Sequence, residues 1–197
     1  EQILGAHGVN RYLHIDTGSR TTEKLRIISR NQQLLRVDFE ATPKKEVIDR
    51  CLSDYEELLL KADVVVISDY GKGSLQGTES MIQLAKGQGI PVVVDPKGRD
   101  FSRYRGATVI TPNELELQGV VGLWGSRAEF EDKALDLVRQ IEIDGLLVTR
   151  GEDGMILFRP EGELLEEGAR SLEVYDISGA GDTVVAMVAA GIAAGFD

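Results

Sequence analysis

Short apolar runs that alternate with helical patterns constrain the fold of this chain more than any other sequence feature. The apolar runs lie at 64–67, 91–94, 108–110 and 146–149. Helical spacing of apolar residues is found around them, at 44–61, 74–88, 126–141 and 179–194. Continuous apolar runs are typical of strands buried on both faces, and strand–helix–strand units pair such strands in parallel. The pattern therefore predicts an α/β fold with a central, mostly parallel sheet and helices on both faces.

Other segments have a residue pattern that is typical of antiparallel strands. In the N-terminal part, apolar and polar residues alternate, which is typical of a sheet with one wet face. Strands are predicted there at 13–16, 24–30 and 34–39, and further short antiparallel strands at 154–158 and 162–165. Basic residues recur along one face of the N-terminal ribbon. We expect a β-lid segment over 12–40 and an α/β core over 41–197 that is incomplete at both ends.

Composition excludes several function classes. The 197 residues carry 22 basic and 33 acidic side chains, a formal charge of −11. This balance argues against nucleic-acid and anionic-membrane binding, which clustered Lys and Arg drive, but allows a local positive pocket for a small anion. The longest apolar stretch, 184–194, is too short for a spanning helix, which needs about 20 residues.

The single cysteine, Cys51, excludes an internal disulfide and fits a reducing compartment, so we expect a cytoplasmic protein. The chain starts without Met and stops just after a helical pattern. We therefore expect it to be a piece of a longer protein, and we expect the piece alone to be poorly active.

The segment DISGAGDT at 176–183 is the sharpest motif, and it opens the last predicted helix. Gly179 and Gly181 allow close backbone approach to a ligand, and amide groups at a helix start favour anions. Asp182 is placed to accept a proton from a substrate hydroxyl. Alternatively, Asp182 only complements the helix dipole and the glycines form a tight loop. A dinucleotide fingerprint fails because it would need glycine where Val184 stands, and no P-loop motif is present.

Taken together, five segments resemble the ribokinase (PfkB-type) carbohydrate kinase family, in order and over nearly the whole chain. They are NQQLLRVDFE at 31–40, SDYGKG at 68–73, DPKGRDFSRYRGATVITPNELE at 95–116, LLVTRGEDGM at 146–155 and YDISGAGDT at 175–183. Within the family, the resemblance is closest to the D-glycero-β-D-manno-heptose 7-phosphate kinase domain. It implies a ribokinase-like fold, ATP and Mg²⁺ as cofactors, and phosphorylation of the anomeric hydroxyl for ADP-heptose and lipopolysaccharide core synthesis.

The resemblance also implies roles for individual positions. Asp182 matches the catalytic base, and Gly179, Ala180 and Gly181 match the anion hole. The Asn-x-x-Glu pattern matches the one that organises Mg²⁺ and the nucleotide phosphates, with Glu116 acting on the metal through water. The implied nucleotide- and Mg²⁺-binding residues are Asn113, Glu114, Leu115, Glu116, Thr149, Arg150 and Gly151.

Further candidates for phosphate or sugar contacts are Asp69, Lys72, Asp95, Lys97, Lys24 and Arg26. Each has a simpler alternative: a strand-end cap for Asp95, a solvated loop for Lys97, a turn for Asp69 and Lys72, and a solvated ribbon face for the last two. Arg150 could instead pair with Glu152.

The resemblance implies a small-molecule sugar phosphate as substrate and a homodimer formed through the β lid, with no nucleic-acid or membrane partner. Two alternatives remain open at this point. One is another sugar kinase of the family, of the fructose or ribose type, and the other is a non-catalytic binding module that keeps the fold. The family's N-terminal strand and Gly-Gly sugar-binding segment are not found in this sequence.

Overall fold

The computed structural model describes residues 2–30, 32–73, 75–169 and 179–196. It divides into two compact units: unit 1 comprises Glu1–Leu58 and Lys72–Gln76, and unit 2 comprises Leu59–Gly71 and Gly77–Asp197. None of the helices in these ranges is long and apolar enough to cross a membrane.

Unit 1 is built on a two-stranded antiparallel ribbon. Its elements are α1 (Gln2–Ala6), β1 (Glu23–Ser29), β2 (Gln32–Phe39) and almost all of α2 (Lys45–Leu59). Lys24 pairs with Asp38 and Leu25 with Val37, and a bulge follows Ile27. Because successive side chains of a strand point to opposite faces, the ribbon has one charged face and one apolar face. The predicted basic face is therefore confirmed.

The strand predicted at 13–16 is wrong, because this segment forms no strand and ends in a turn. The Asp16 carboxylate accepts hydrogen bonds from the Gly18 N–H at 2.9 Å and the Ser19 hydroxyl at 2.7 Å. These bonds, that of Ser19 first, lower the pKa of Asp16 to about 2. A short polar side chain that bonds its own following backbone competes with strand pairing, and here the turn prevails.

Unit 2 contains a six-stranded mixed sheet in the order β3-β4-β5-β6-β7-β8. The strands are β3 (Val65–Ser68), β4 (Val92–Asp95), β5 (Val109–Ile110), β6 (Gly145–Thr149), β7 (Met155–Phe158) and β8 (Leu164–Glu167). β3 to β6 pair in parallel, whereas β7 and β8 are antiparallel. Its helices are α3 (Thr78–Gly87), α4 (Glu114–Val121), α5 (Arg127–Gln140) and α6 (Ala180–Ala193). The predicted α/β architecture is confirmed.

Strand β4 belongs to the hydrophobic core of unit 2. Val92, Val93 and Val94 are all fully buried, and since neighbouring side chains alternate, both faces of the strand must be covered. On one face, Val93 packs against Val185 and Ala189 of α6. This contact fixes the position of α6 beside the sheet and directs its N-terminus towards the end of β4.

Candidate functional site

The carboxyl ends of the four parallel strands lie side by side in unit 2. Ser68 is in register with Asp95, and the Asp69 N–H donates to the Asp95 carbonyl at 3.0 Å. Asn113 forms a parallel bridge with Thr149. We call the segments 69–71, 95–97, 111–116 and 149–151 the rim. Ligands of open parallel sheets bind at this edge.

Asp69 is committed to the protein rather than open to a ligand. Its side chain is only 3% exposed, and it accepts hydrogen bonds from the Gly71 N–H at 2.7 Å and the Tyr104 hydroxyl at 2.8 Å. The Arg103 guanidinium lies 3.3 Å away and compensates the buried charge. These contacts make Asp69 an anchor for the rim.

Asn113 and Glu116 form a capping box at the start of α4. The Asn113 side chain accepts from the Glu116 N–H at 2.9 Å, and the Glu116 carboxylate accepts from the Asn113 N–H at 3.0 Å. A capping box satisfies two amide groups that the first helical turn leaves without partners. From the sequence alone, this segment is predicted as the polar end of a strand, and α4 is not predicted.

Glu116 also reaches across the rim to Lys97. The second oxygen of its carboxylate forms an ion pair with the Lys97 ammonium group, while the first remains in the capping box. The hydrogen bond to Glu116 is the main cause that raises the pKa of Lys97. One carboxylate therefore joins α4 to the end of β4.

Asp95 lies among three other charged side chains. Burial raises the pKa of its carboxyl group, and the charges of Glu116 and Asp182 raise it further. Lys97 acts in the opposite direction, as does a hydrogen bond from Ser68. The Lys97–Glu116 ion pair joins α4 to the end of β4 beside Asp95, and α6 packs on β4 so that the charge of Asp182, in its first turn, acts on Asp95.

The tip of α6 presents backbone amide groups beside a carboxylate. The first bond within the helix runs from the Thr183 N–H to the Gly179 carbonyl at 3.0 Å, so the amides of Ala180, Gly181 and Asp182 have no partner inside the helix. Gly179 has a left-handed backbone, with φ of 80°, and a Cβ at Gly181 would meet open space. Asp182 itself is exposed. Residues 176–178 of the motif lie outside the described residues.

Arg150 is held in place by acidic side chains of three elements. Its guanidinium lies 3.2 Å from Glu166 of β8, 3.8 Å from Glu114 of α4 and 3.8 Å from Asp153. These carboxylates take the place of Glu152, the partner considered from the sequence. Gly151 follows with φ of 59° and begins a single 3-10 turn.

The remaining candidates differ in their surroundings. Leu115, in the first turn of α4, is among the most exposed apolar side chains described. Lys72, Lys24 and Arg26 belong to unit 1. There Lys72 forms an ion pair with Glu40, and the other two lie on the charged face of the ribbon.

The donor set at the rim suits a magnesium ion that arrives with a nucleotide. Asp95, Glu116 and Asp182 offer carboxylate oxygens, which Mg²⁺ prefers. Within the described ranges, however, no three His, Cys, Asp or Glu side chains form a metal-binding group. Mg²⁺ commonly keeps several waters and binds through one or two carboxylates plus substrate phosphates, and the rim fits this mode.

Two contributors to the site were missed by the sequence analysis. Tyr104 is fully buried and bonds both Asp69 and the backbone of Lys97, yet it sits in an ordinary-looking loop between two arginines. Glu166 supports Arg150 from a distant strand. Spacing along the chain carries no signal for either contact, because both depend on the arrangement of the sheet.

Comparison with known proteins finds relatives that match nearly the whole chain. "Bifunctional protein HldE" of Stutzerimonas stutzeri (strain A1501) is 49% identical over 192 residues, which is 98% of this chain and 40% of the relative. The protein of the same name from Coxiella burnetii (strain Dugway 5J108-111) is 45% identical over 197 residues, covering all of this chain and 42% of the relative. The chain thus spans about two-fifths of the length of these relatives.

Solved structures show the same fold at low identity. Phosphofructokinase-2 from Escherichia coli in complex with potassium superposes with a TM-score of 0.79 at 18% identity, covering 100% of this chain and 65% of that one. Ribokinase from Giardia lamblia has a TM-score of 0.75 at 19% identity, covering 93% and 59%. The family model for pfkB family carbohydrate kinases matches residues 1–197. Since that match spans the whole sequence, the chain belongs to the pfkB family of carbohydrate kinases.

Proposed function

We propose that this chain is the kinase part of an enzyme that transfers the γ-phosphate of ATP to the anomeric hydroxyl of D-glycero-β-D-manno-heptose 7-phosphate. The product is the 1,7-bisphosphate used for ADP-heptose and lipopolysaccharide core synthesis. One observation carries the proposal: α6, whose first turn holds Asp182 and amides without a partner inside the helix, packs on β4 close enough to the rim for the Asp182 charge to act on Asp95. The relatives named HldE, at 45–49% identity, support the choice of this branch of the family.

In the proposed reaction, Asp182 accepts the proton of the sugar hydroxyl as that oxygen attacks the γ-phosphorus of ATP. The bond between the γ-phosphorus and the bridging oxygen breaks, and ADP leaves. The amides of Ala180, Gly181 and Asp182 donate to the transferred phosphoryl group, where negative charge must be stabilised. Because these donors belong to a helix packed on the core, they need no reorganisation during the reaction. Mg²⁺, when bound, would neutralise phosphate charge and be held near Glu116 through water.

We assign the nucleotide to the side of the rim formed by α4 and the end of β6. Asn113 and Glu116 fix the start of α4, and Thr149 is bonded to the same loop through the Pro112 carbonyl at 3.0 Å. Arg150 and Gly151 follow directly. The half-buried Glu114 and the exposed Leu115 complete this surface, on which Leu115 offers apolar area to a nucleotide base.

We assign the sugar phosphate to cations of the lid segment. Lys24 and Arg26 lie on the charged face of the ribbon, where they would suit a 7-phosphate group. Its other face exposes Leu25, Ile27 and Leu35 by 51%, 44% and 51%. An apolar strand face of this kind is buried by association, so we propose a homodimer formed through the lid. A cytoplasmic location stays a prediction.

The decisive experiment measures ATP-dependent phosphorylation of heptose 7-phosphate by the natural protein that carries this chain, with the 1-phosphate product followed by ³¹P NMR. We expect Asp182→Asn to lower kcat by at least about 100-fold, the contribution of a positioned general base. Asp132→Asn, which removes an exposed carboxylate from α5, is the matched control and should stay within about twofold. Unchanged turnover in Asp182→Asn would remove Asp182 as the base. Preferred turnover of fructose 6-phosphate or ribose would favour another sugar kinase.

A further inference from the structure

Lys97 combines a fixed backbone with a long side chain that reaches over the rim. Its N–H donates to the Tyr104 hydroxyl at 3.0 Å, and its carbonyl lies 3.1 Å from the same hydroxyl. Tyr104 is itself fully buried and anchored on Asp69 at 2.8 Å. By contrast, the Lys97 side chain is 52% exposed. The structure thus holds the base of this side chain firmly and leaves its ammonium group able to turn.

Glu116, the partner of Lys97, is the immobile member of the ion pair. Its side chain is 15% exposed, and one of its oxygens is needed by the Asn113 N–H to cap α4. Moving this carboxylate would break the capping box, whereas moving Lys97 would break only the ion pair. A ligand that requires Glu116 must therefore displace the lysine.

An anionic phosphate at the rim would give the Lys97 ammonium group a second binding partner besides Glu116. The charges of Glu116 and Asp182 both act on Asp95, so three carboxylates lie at the edge to which the proposed function assigns the nucleotide phosphates. Lys97 is a cation that acts on Asp95 and Glu116 alike. Once a divalent cation takes Glu116, the released ammonium group can donate a charge-assisted hydrogen bond to an anionic phosphate.

We propose that Lys97 exchanges partners during nucleotide binding: it neutralises Glu116 in the ligand-free protein, and it turns to the nucleotide phosphates when the divalent cation takes its place. The lysine thereby keeps the rim from being strongly negative before the nucleotide arrives. This inference rests on the proposed function, because it requires a metal–nucleotide complex at the rim.

The first test measures Mn²⁺ binding without nucleotide or sugar, from the electron paramagnetic resonance signal of the free ion. Lys97→Met keeps the side-chain stem and removes the competitor, so we expect Mn²⁺ to bind at least about fivefold more tightly than in the unaltered protein. Lys86→Met, an exposed lysine of α3, controls for the change in net charge and should leave the affinity unchanged. In Lys97→Met/Glu116→Gln the gain should disappear, because Glu116 is the contested ligand.

The second test measures the affinity for a non-hydrolysable ATP analogue at saturating Mn²⁺ by calorimetry. Loss of the charge-assisted contact should weaken binding in Lys97→Met by about tenfold. Equal Mn²⁺ affinities in the two lysine variants, a gain that persists in the double variant, or undiminished analogue binding would each overturn the exchange. Failure of the proposed function is seen separately, as absence of heptose phosphorylation by the unaltered protein.

Discussion

At the scale of single residues, Glu116 shows that a motif can serve structure and chemistry at once. The Asn-x-x-Glu spacing is the spacing of a capping box, and one carboxylate oxygen caps α4 while the other faces Lys97. A substitution that removes the whole side chain therefore confounds two effects. Glutamine separates them, because it retains an oxygen that can accept from the Asn113 N–H and loses the charge.

We expect Glu116→Gln to leave the free energy of unfolding within about 0.5 kcal/mol of the unaltered protein, and Glu116→Ala to lower it by about 1 kcal/mol through loss of the cap. Both should reduce kcat/KM for Mg·ATP by at least about tenfold. Urea unfolding and steady-state kinetics measure the two quantities. Full activity in Glu116→Gln would show that the charge of Glu116 has no part in nucleotide use.

At the scale of elements, the turn before β7 depends on one glycine. Gly154 has φ of 88°, and a Cβ there would lie 2.0 Å from the Glu167 carbonyl oxygen and 2.7 Å from the Ala169 nitrogen. Both are backbone atoms, which cannot rotate away. The β7–β8 hairpin therefore approaches this turn too closely for any side chain.

We expect Gly154→Ala to destabilise the protein by more than about 3 kcal/mol, as clash and backbone strain combine. Gly162→Ala is the matched control, because Gly162 has a similar φ of 92° but open space around its position. That variant should cost only about 1 kcal/mol, the strain of a left-handed backbone. Equal melting temperatures for the two variants would contradict the clash.

The elements that the sequence predicted correctly are those whose pattern is local. The continuous apolar runs of β3, β4 and β6 and the periodic apolar spacing of α5 each identify their own structure. α4 was missed because its first turn is polar and directly follows a strand. The segment 13–16 was misread because the Asp16 turn outweighs an alternating pattern.

The residues of the candidate site likewise fall into those that a local sequence pattern predicts and those that it does not. Gly179, Asp182 and the Asn-x-x-Glu pair can be identified from short motifs, since each motif folds into one helix start. The Lys97–Glu116 ion pair, the Tyr104–Asp69 anchor and the Arg150–Glu166 contact cannot, because each joins segments that only the sheet brings together. Supporting contacts of this kind follow from topology rather than from spacing.

At the scale of the whole molecule, the apolar face of the ribbon determines the proposed association. Ile27 lies on that face with Leu25 and Leu35, whereas Ile28, the adjacent residue of β1, lies on the charged face with Lys24 and Arg26. The two isoleucines are 44% and 62% exposed and form a matched pair. They differ in the face they occupy and not in residue type.

We expect Ile27→Asp to convert the protein to monomers at micromolar concentration, because a charge cannot be buried unpaired in an apolar interface. Ile28→Asp, on the charged face, should remain associated. Sedimentation velocity distinguishes the two results. A dimer that survives Ile27→Asp would place the interface elsewhere.

The contact of Val93 with Val185 and Ala189 carries one more consequence. Asp182, the proposed base, lies one helical turn before Val185. The packing of α6 on β4 therefore sets the direction in which its carboxylate points. A slightly larger or smaller side chain at that contact would tilt α6 and move the Asp182 carboxylate out of position. Substitutions at these buried apolar positions would therefore change the turnover of the enzyme as well as its stability.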